Sequence, residues 1–210
     1  MNEKINKVVG VGMSKTGTST LAICLEYLGF GPHQGFDKEL TEQAKSSFSD
    51  NAIAAAKSAG YMEDSPWFLL YKEIDQAYPN SKFILTLRKD SKAHAMSTWH
   101  HARRNGKRVD SEKEERLMIT QQRYEKHNSE VREYFSNRPN DLLEVCWENN
   151  DGWDKVCSFL GVDKPTIAFP HANAKPKGLL SPLKKKLSRK KIYVLRMKIA
   201  QLAMNLKTQH

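Results

Sequence analysis

Cysteine is scarce in this sequence. There are three in 210 residues, Cys24, Cys146 and Cys157, odd in number, far apart and set in apolar surroundings. A disulfide framework and a thiolate metal site are thereby excluded, and buried thiols in a reducing compartment are predicted. Long apolar runs are missing too. No stretch reaches the roughly 20 residues that a bilayer-spanning helix needs. Residues 1–6 are polar, unlike a signal peptide, so cytoplasmic residence is predicted. No segment repeats. Acidic residues are absent from 183–210, which hold nine Lys/Arg, leaving the rest of the chain with 25 basic residues against 24 acidic ones. Nine of the ten net positive charges therefore belong to the tail, which argues against a nucleic-acid-binding body.

What is present suffices for one domain, residues 1–182, followed by a basic helical tail, 183–210. The chain opens on a short apolar strand, Lys7 to Met13, that runs into Gly12-Met13-Ser14-Lys15-Thr16-Gly17-Thr18-Ser19-Thr20 and an apolar helix from Thr18 to Leu28. Strand, tight loop and helix N-terminus make an anion site, because unpaired amides and the helix dipole point at the ligand. The frame is that of a nucleotide-binding P-loop, G-x-x-x-x-G-K-[ST], with the lysine displaced: Thr18 stands in its place and Lys15 lies mid-loop. A lysine there meets the 5′-phosphate end of a shorter ligand rather than the outer phosphates of a triphosphate.

Residues 29–35 read as a loop and 37–59 as helical, with Ala52, Ala55, Ala56 and Ala59 as a close-packing face. Gly60 to Glu63 is a short strand. Pro66 is expected in the first turn of a helix reaching Tyr78, capped by Asp64 or Ser65. Lys82 to Leu87 is the clearest strand, ending at Arg88; Asp90 or Ser91 caps the helix that follows, to about Arg104. A long charged helix over 111–137 carries a thin stripe of Leu117, Tyr124, Val131 and Phe135. A strand at 142–147 and a compact helix from Trp153 to Leu160 complete the pattern. Strands alternating with helices predict a parallel α/β sheet, P-loop-like, covered by helices on both faces, with ligands beyond the carboxyl ends of the strands.

Three chemistries fall at such ends: the Lys15 loop, Glu63-Asp64, and Arg88. A kinase needs an acid there to hold magnesium. Arg88-Lys89 has the opposite sign, and an arginine fork suits a second phosphate. The pattern calls for a nucleotide phosphorylated at two ends, and for no metal.

These residues resemble the sulfotransferases that use 3′-phosphoadenosine 5′-phosphosulfate, in their small bacterial-type form. Ser14-Lys15-Thr16-Gly17-Thr18-Ser19 is similar to their 5′-phosphosulfate loop, commonly Pro-Lys-Ser-Gly-Thr-Thr. Phe83 to Arg88 with a serine on the next helix is similar to their 3′-phosphate strand and helix. Tyr78 to Phe83, Asp151-Gly152-Trp153 through Gly161, and Phe169 to Asn173 extend the resemblance over residues 7–175. It implies that Lys15 stabilises charge on the departing phosphate, and that amides and hydroxyls of Ser14, Thr16, Gly17, Thr18, Ser19 and Thr20 hold the 5′-phosphate. It also implies that Arg88 and Ser97 hold the 3′-phosphate. Ser97 lies nine residues after Arg88 where eight is usual, with Met96 at the customary place and Ser91 as the alternative. Thr20 replaces the tryptophan that stacks on adenine in cytosolic relatives. Lys175 and Lys177-Gly178 resemble a late segment that touches the 3′-phosphate there; a plain basic loop is the alternative.

A general base must take the acceptor hydroxyl's proton. Cytosolic relatives place a histidine two residues before a proline; Asp64 holds that position here, and it is equally a helix-cap residue. Glu63 should face the other way. His33 could line the acceptor site, whereas His100 and His101 read as surface or packing residues. Trp67, Trp99 and Trp153 read as core, and Trp147 as core or pocket wall.

The tail spaces Ile192, Leu195, Ile199, Leu202 and Leu206 as an amphipathic seam among basic residues. Such a seam docks on the body or on a second subunit as a homodimer, lies on an anionic membrane surface, or holds an acidic polysaccharide. The expected activity is sulfuryl transfer from 3′-phosphoadenosine 5′-phosphosulfate to a hydroxyl of a carbohydrate or glycolipid, releasing adenosine 3′,5′-bisphosphate. A non-catalytic nucleotide-binding module and a small kinase with a degenerate P-loop are the alternatives.

Overall fold

The computed structural model describes residues 5–46, 50–106, 110–170, 172, 195 and 199. Five strands form one parallel sheet: β1 (Val8–Gly10), β2 (His33–Gln34), β3 (Tyr61–Met62), β4 (Lys82–Thr86) and β5 (Leu142–Val145), in the order β2-β3-β1-β4-β5. Alternate residues of each strand enter different cores, as the period of two demands. Val9, Met62, Phe83 and Leu85 face one way. They are covered by α3 (Asp50–Ala56), α4 (Tyr71–Ala77) and the end of α6 (Lys113–Tyr134), through Ala52, Ala56, Ile74 and Val131, with Phe135 just beyond. Val8, Tyr61, Ile84 and Val145 face the other way, against Leu21 and Leu25 of α1 (Thr18–Tyr27) and Val156 and Leu160 of α7 (Trp153–Leu160). Helices on both faces explain why the strands read as almost unbroken apolar runs. Among the residues described up to Ala172, the remaining α-helices are α2 (Lys38–Ser46) and α5 (Ser91–Arg104), the latter packed along α6.

Several expectations are refined by this arrangement. The 29–35 loop contains the two-residue edge strand β2, so the sheet has one strand more than the sequence pattern shows. The 37–59 stretch is two helices, α2 and α3. Pro66 does not open a helix. Residues 64–70 form a compact turn, with Phe68 N–H donating to the Asp64 carbonyl and Leu69 N–H to that of Pro66, and α4 starts only at Tyr71. Asp64 therefore caps nothing: its φ of +70° is left-handed, not the extended geometry of a cap. Asp90 does cap α5, accepting from Ala93 N at 2.6 Å.

All three cysteines are buried and free, and Trp67, Trp99 and Trp153 fill the interior. No helix among the described residues is long and apolar enough to cross a membrane. Of the tail only Leu195 and Ile199 are described, both helical and exposed; the rest of its seam and Lys175, Lys177 and Gly178 lie outside the described residues.

Candidate active site

The loop after β1 is shaped by backbone. Gly12 lies so close to β4 that a Cβ there would collide with Thr86. Gly17, at φ +104°, is the N-cap of α1, and no side chain caps that helix. Within the first turn Thr20 N already donates to Gly17 O (2.9 Å), which leaves the amides of Thr18 and Ser19 for an incoming anion. Lys15 is held at φ +76°, a conformation costly for a side-chain-bearing residue, at the crest of the turn. Burial lowers its pKa; the Asp64 carboxylate works against that and Arg104 adds to it.

Not every hydroxyl of the loop is available to a ligand. Thr16 Oγ1 donates to Met13 O (2.6 Å) and meets Thr86 Oγ1 (2.6 Å), so it braces the loop internally. Thr20 Oγ1 accepts from Ala172 N (3.3 Å), tying the late segment to α1. Thr18 is buried and Ser19 is exposed. Ser14 Oγ donates a short hydrogen bond to Asp64 Oδ1, which also accepts from Ser65 N at 2.9 Å. Asp64 is thus fastened to the loop itself. Glu63 turns instead to His33, whose Nε2 lies 3.1 Å from its carboxylate, and does not share Asp64's partner.

Arg88 leaves the end of β4 toward the same loop. Its Nη1 donates to Lys15 O (3.3 Å), while Nε and Nη2 hold the Glu148 carboxylate at 3.0 and 2.6 Å. Lys89 N adds a third donor to Glu148 at 2.9 Å. Partial burial opposes the charge of Glu148, but the Arg88 and Lys89 hydrogen bonds outweigh it and keep the carboxyl below its usual range. Lys15, Thr16, Gly17, Thr20, Arg88 and Ser97 line a single cavity of about 450 Å³, closed by Leu87, Trp147, Glu148 and Ala172. Ser91, the alternative to Ser97, lines a neighbouring cavity on the far side of Arg88. Trp147 donates from Nε1 to Gly17 O (3.1 Å) and packs on Phe169, presenting an aromatic wall.

The displaced-lysine loop and the arginine at the end of β4 share one cavity. A sulfotransferase domain model matches residues 7–112 and 90–177. The chain belongs to the sulfotransferase domain family. No curated protein matches it. Membership makes this sulfotransferase a transferase acting on a hydroxyl-bearing acceptor in general terms.

Two histidines that sequence reasoning passed over support the sulfotransferase loop from behind. His94 Nε2 lies 3.0 Å from Ser14 O and His127 Nε2 2.7 Å from Val11 O; carbonyls only accept, so each imidazole donates its Nε2–H. Burial lowers both pKa values, against the pull of those carbonyls. Neither lies near the loop in sequence, and helical spacing alone marks them as core residues. Glu148 was equally illegible, since nothing local to it points at Arg88, and of the two places open to Trp147, core or pocket wall, the structure gives it both.

Proposed function

We propose that this sulfotransferase moves the sulfuryl group of 3′-phosphoadenosine 5′-phosphosulfate to a hydroxyl of a carbohydrate or glycolipid. The supporting observation is the single cavity shared by the Lys15 loop, Arg88 and Ser97. Its donors are cations, hydroxyls and helix-end amides, and its one acidic wall residue, Glu148, is neutralised by Arg88. That set fits a ligand with phosphate at two ends.

In this reading the amides and hydroxyls of Thr18 and Ser19, with the backbone N–H of Ser14, whose hydroxyl is given to Asp64, hold the 5′-phosphate, while Thr16 and Thr20 shape their surroundings. Arg88 and Ser97 take the 3′-phosphate, and Trp147 offers the adenine its aromatic wall in place of a tryptophan at position 20. Asp64, beside the loop, accepts the proton as the acceptor oxygen bonds to sulfur. The bond from sulfur to the bridging oxygen breaks, and Lys15 meets the charge that gathers on that oxygen. Adenosine 3′,5′-bisphosphate leaves with the electron pair. No step calls on a metal.

The carbohydrate or glycolipid acceptor is supported by the acidic residue in the base position and by the basic tail. In this reading the enzyme is cytoplasmic and peripheral at an anionic membrane, with the tail seam on the lipid or on a second copy. Sedimentation of the full chain with anionic against neutral vesicles tests the membrane part. Titration with adenosine 3′,5′-bisphosphate against ATP plus magnesium tests the donor. Preference for ATP would make it a kinase, and bisphosphate binding with no transfer to any acceptor from labelled donor would make it a binding module.

A further inference from the structure

We infer that His94 and Tyr124 form a strut that sets the distance between the two phosphate grips, and that they are positioning residues for the donor nucleotide. The inference rests on the two-phosphate reading above. His94, on α5, is 2 % exposed and donates from Nε2 to the carbonyl of Ser14, the residue before Lys15. Its ring stacks on that of Tyr124, on α6, with centroids 4.3 Å apart and planes 17° from parallel. The Tyr124 hydroxyl in turn accepts the backbone N–H of Arg88 at 3.0 Å. The path from one grip to the other is therefore carbonyl, imidazole, phenol, amide, each link a part-buried hydrogen bond or a ring stack. Neither ring lines the cavity of Lys15 and Ser97.

Two shorter ties also join the segments, Arg88 Nη1 to Lys15 O and Thr86 to Thr16. The first uses an arginine N–H that faces the ligand space, so an arriving phosphate competes with it. The strut's two side chains line no part of the cavity of Lys15 and Ser97, and Tyr124 faces the neighbouring one with Ser91. A buried imidazole whose Nδ1 has no partner among the described residues is an expensive way to fill space. A phenylalanine there would pack the same stack at lower cost; what it would lack is the grip on Ser14.

A strut of this kind matters only to a ligand that spans both grips, because displacement of one anchor by about an ångström costs a bridging interaction far more than a single one. The test is calorimetric titration of the full chain, wild type, His94→Phe and Tyr124→Phe, with adenosine 3′,5′-bisphosphate, adenosine 5′-phosphate and adenosine 3′-phosphate. Each variant keeps its ring and loses one polar link. The expected result is roughly a tenfold loss of affinity for the bisphosphate in both variants. Each monophosphate should lose less than about threefold, and the double variant should be no worse than either single one, since the links act in series. Equal losses on all three ligands would reduce the pair to general packing and overturn the inference. So would unchanged preference for the bisphosphate in Tyr124→Phe, the variant that decides if His94→Phe fails to fold. A wild-type protein that binds the bisphosphate no better than the monophosphates overturns the two-phosphate reading itself, and the strut with it.

Discussion

The two cationic grips of the site are built in opposite ways. Lys15 is positioned through its backbone: a left-handed residue at the crest of a glycine-bounded turn, its ammonium partly desolvated and within the field of Asp64. Arg88 is positioned through its side chain, with its fork committed to Glu148 and its amide to Tyr124. A lysine held only at its root can follow charge as it moves from sulfur to the leaving oxygen. An arginine fixed at both ends cannot, and serves as an anchor. In the proposed mechanism one grip serves the transition state and the other the ground state.

Substitutions can break that contrast. Lys15→Ala should lower kcat by roughly 100-fold or more, as removal of a donor at a developing charge does, while bisphosphate affinity in calorimetry changes much less. A variant that lost binding and kept turnover would reverse the assignment. Asp64→Asn should cost about 100-fold in kcat if the carboxylate takes the proton. Since Asp64 caps no helix, its melting temperature should stay near wild type; a large thermal loss with normal turnover would give Asp64 a structural role only. Arg88→Ala should weaken bisphosphate binding about 10- to 100-fold, the worth of a charge-assisted bidentate contact. Arg88→Lys should recover little of that, because a lysine lacks the fork. Glu148→Gln sharpens the comparison further. The half-exposed pair is worth at most about 1 kcal/mol, so affinity should fall two- to fivefold as the guanidinium loosens. Tighter binding instead would mean that Glu148 competes with the phosphate.

The smallest effect expected is on stability against pH. His94 and His127 have folded pKa values below the ordinary 6.5, through burial first, with the Arg88 charge adding to the shift at His94. In the window between 6.5 and the lowered values the unfolded chain binds more protons than the folded one. Stability should therefore be full above about pH 7 and fall as pH drops through 6.5, by about 1.4 kcal/mol per unit of depression for each histidine. Thermal melts between pH 7.5 and 5 measure it, and His94→Gln and His127→Gln should each flatten the profile.

Local pattern carried much of this. The alternation in Val8-Val9 and Phe83-Ile84, the glycines at 12 and 17, and the arginine closing an apolar run are consequences of neighbours in the chain. Four of the five strands and the loop after the first were legible for that reason, whereas the two-residue edge strand β2 was not. The 64–70 turn departs from expectation because Pro66 and Asp64 satisfy the local rules of a helix start, while a hydrogen bond from Ser14, fifty residues away, joins that from Ser65 N in holding Asp64 in another use.

By itself, then, the order of residues determined the parallel sheet, the glycine-bounded turn after β1 and the arginine at the end of β4, because each depends on contacts a few residues long. Only the tertiary structure decided that Glu148 holds Arg88 from 60 residues away and that His94 holds Ser14 from 80. It alone decided that Trp147 walls the cavity from 130 residues beyond Gly17. Such partners are chosen by which helix and strand ends the packing brings together, and side chains that meet across the fold leave no period or spacing in the sequence to announce it.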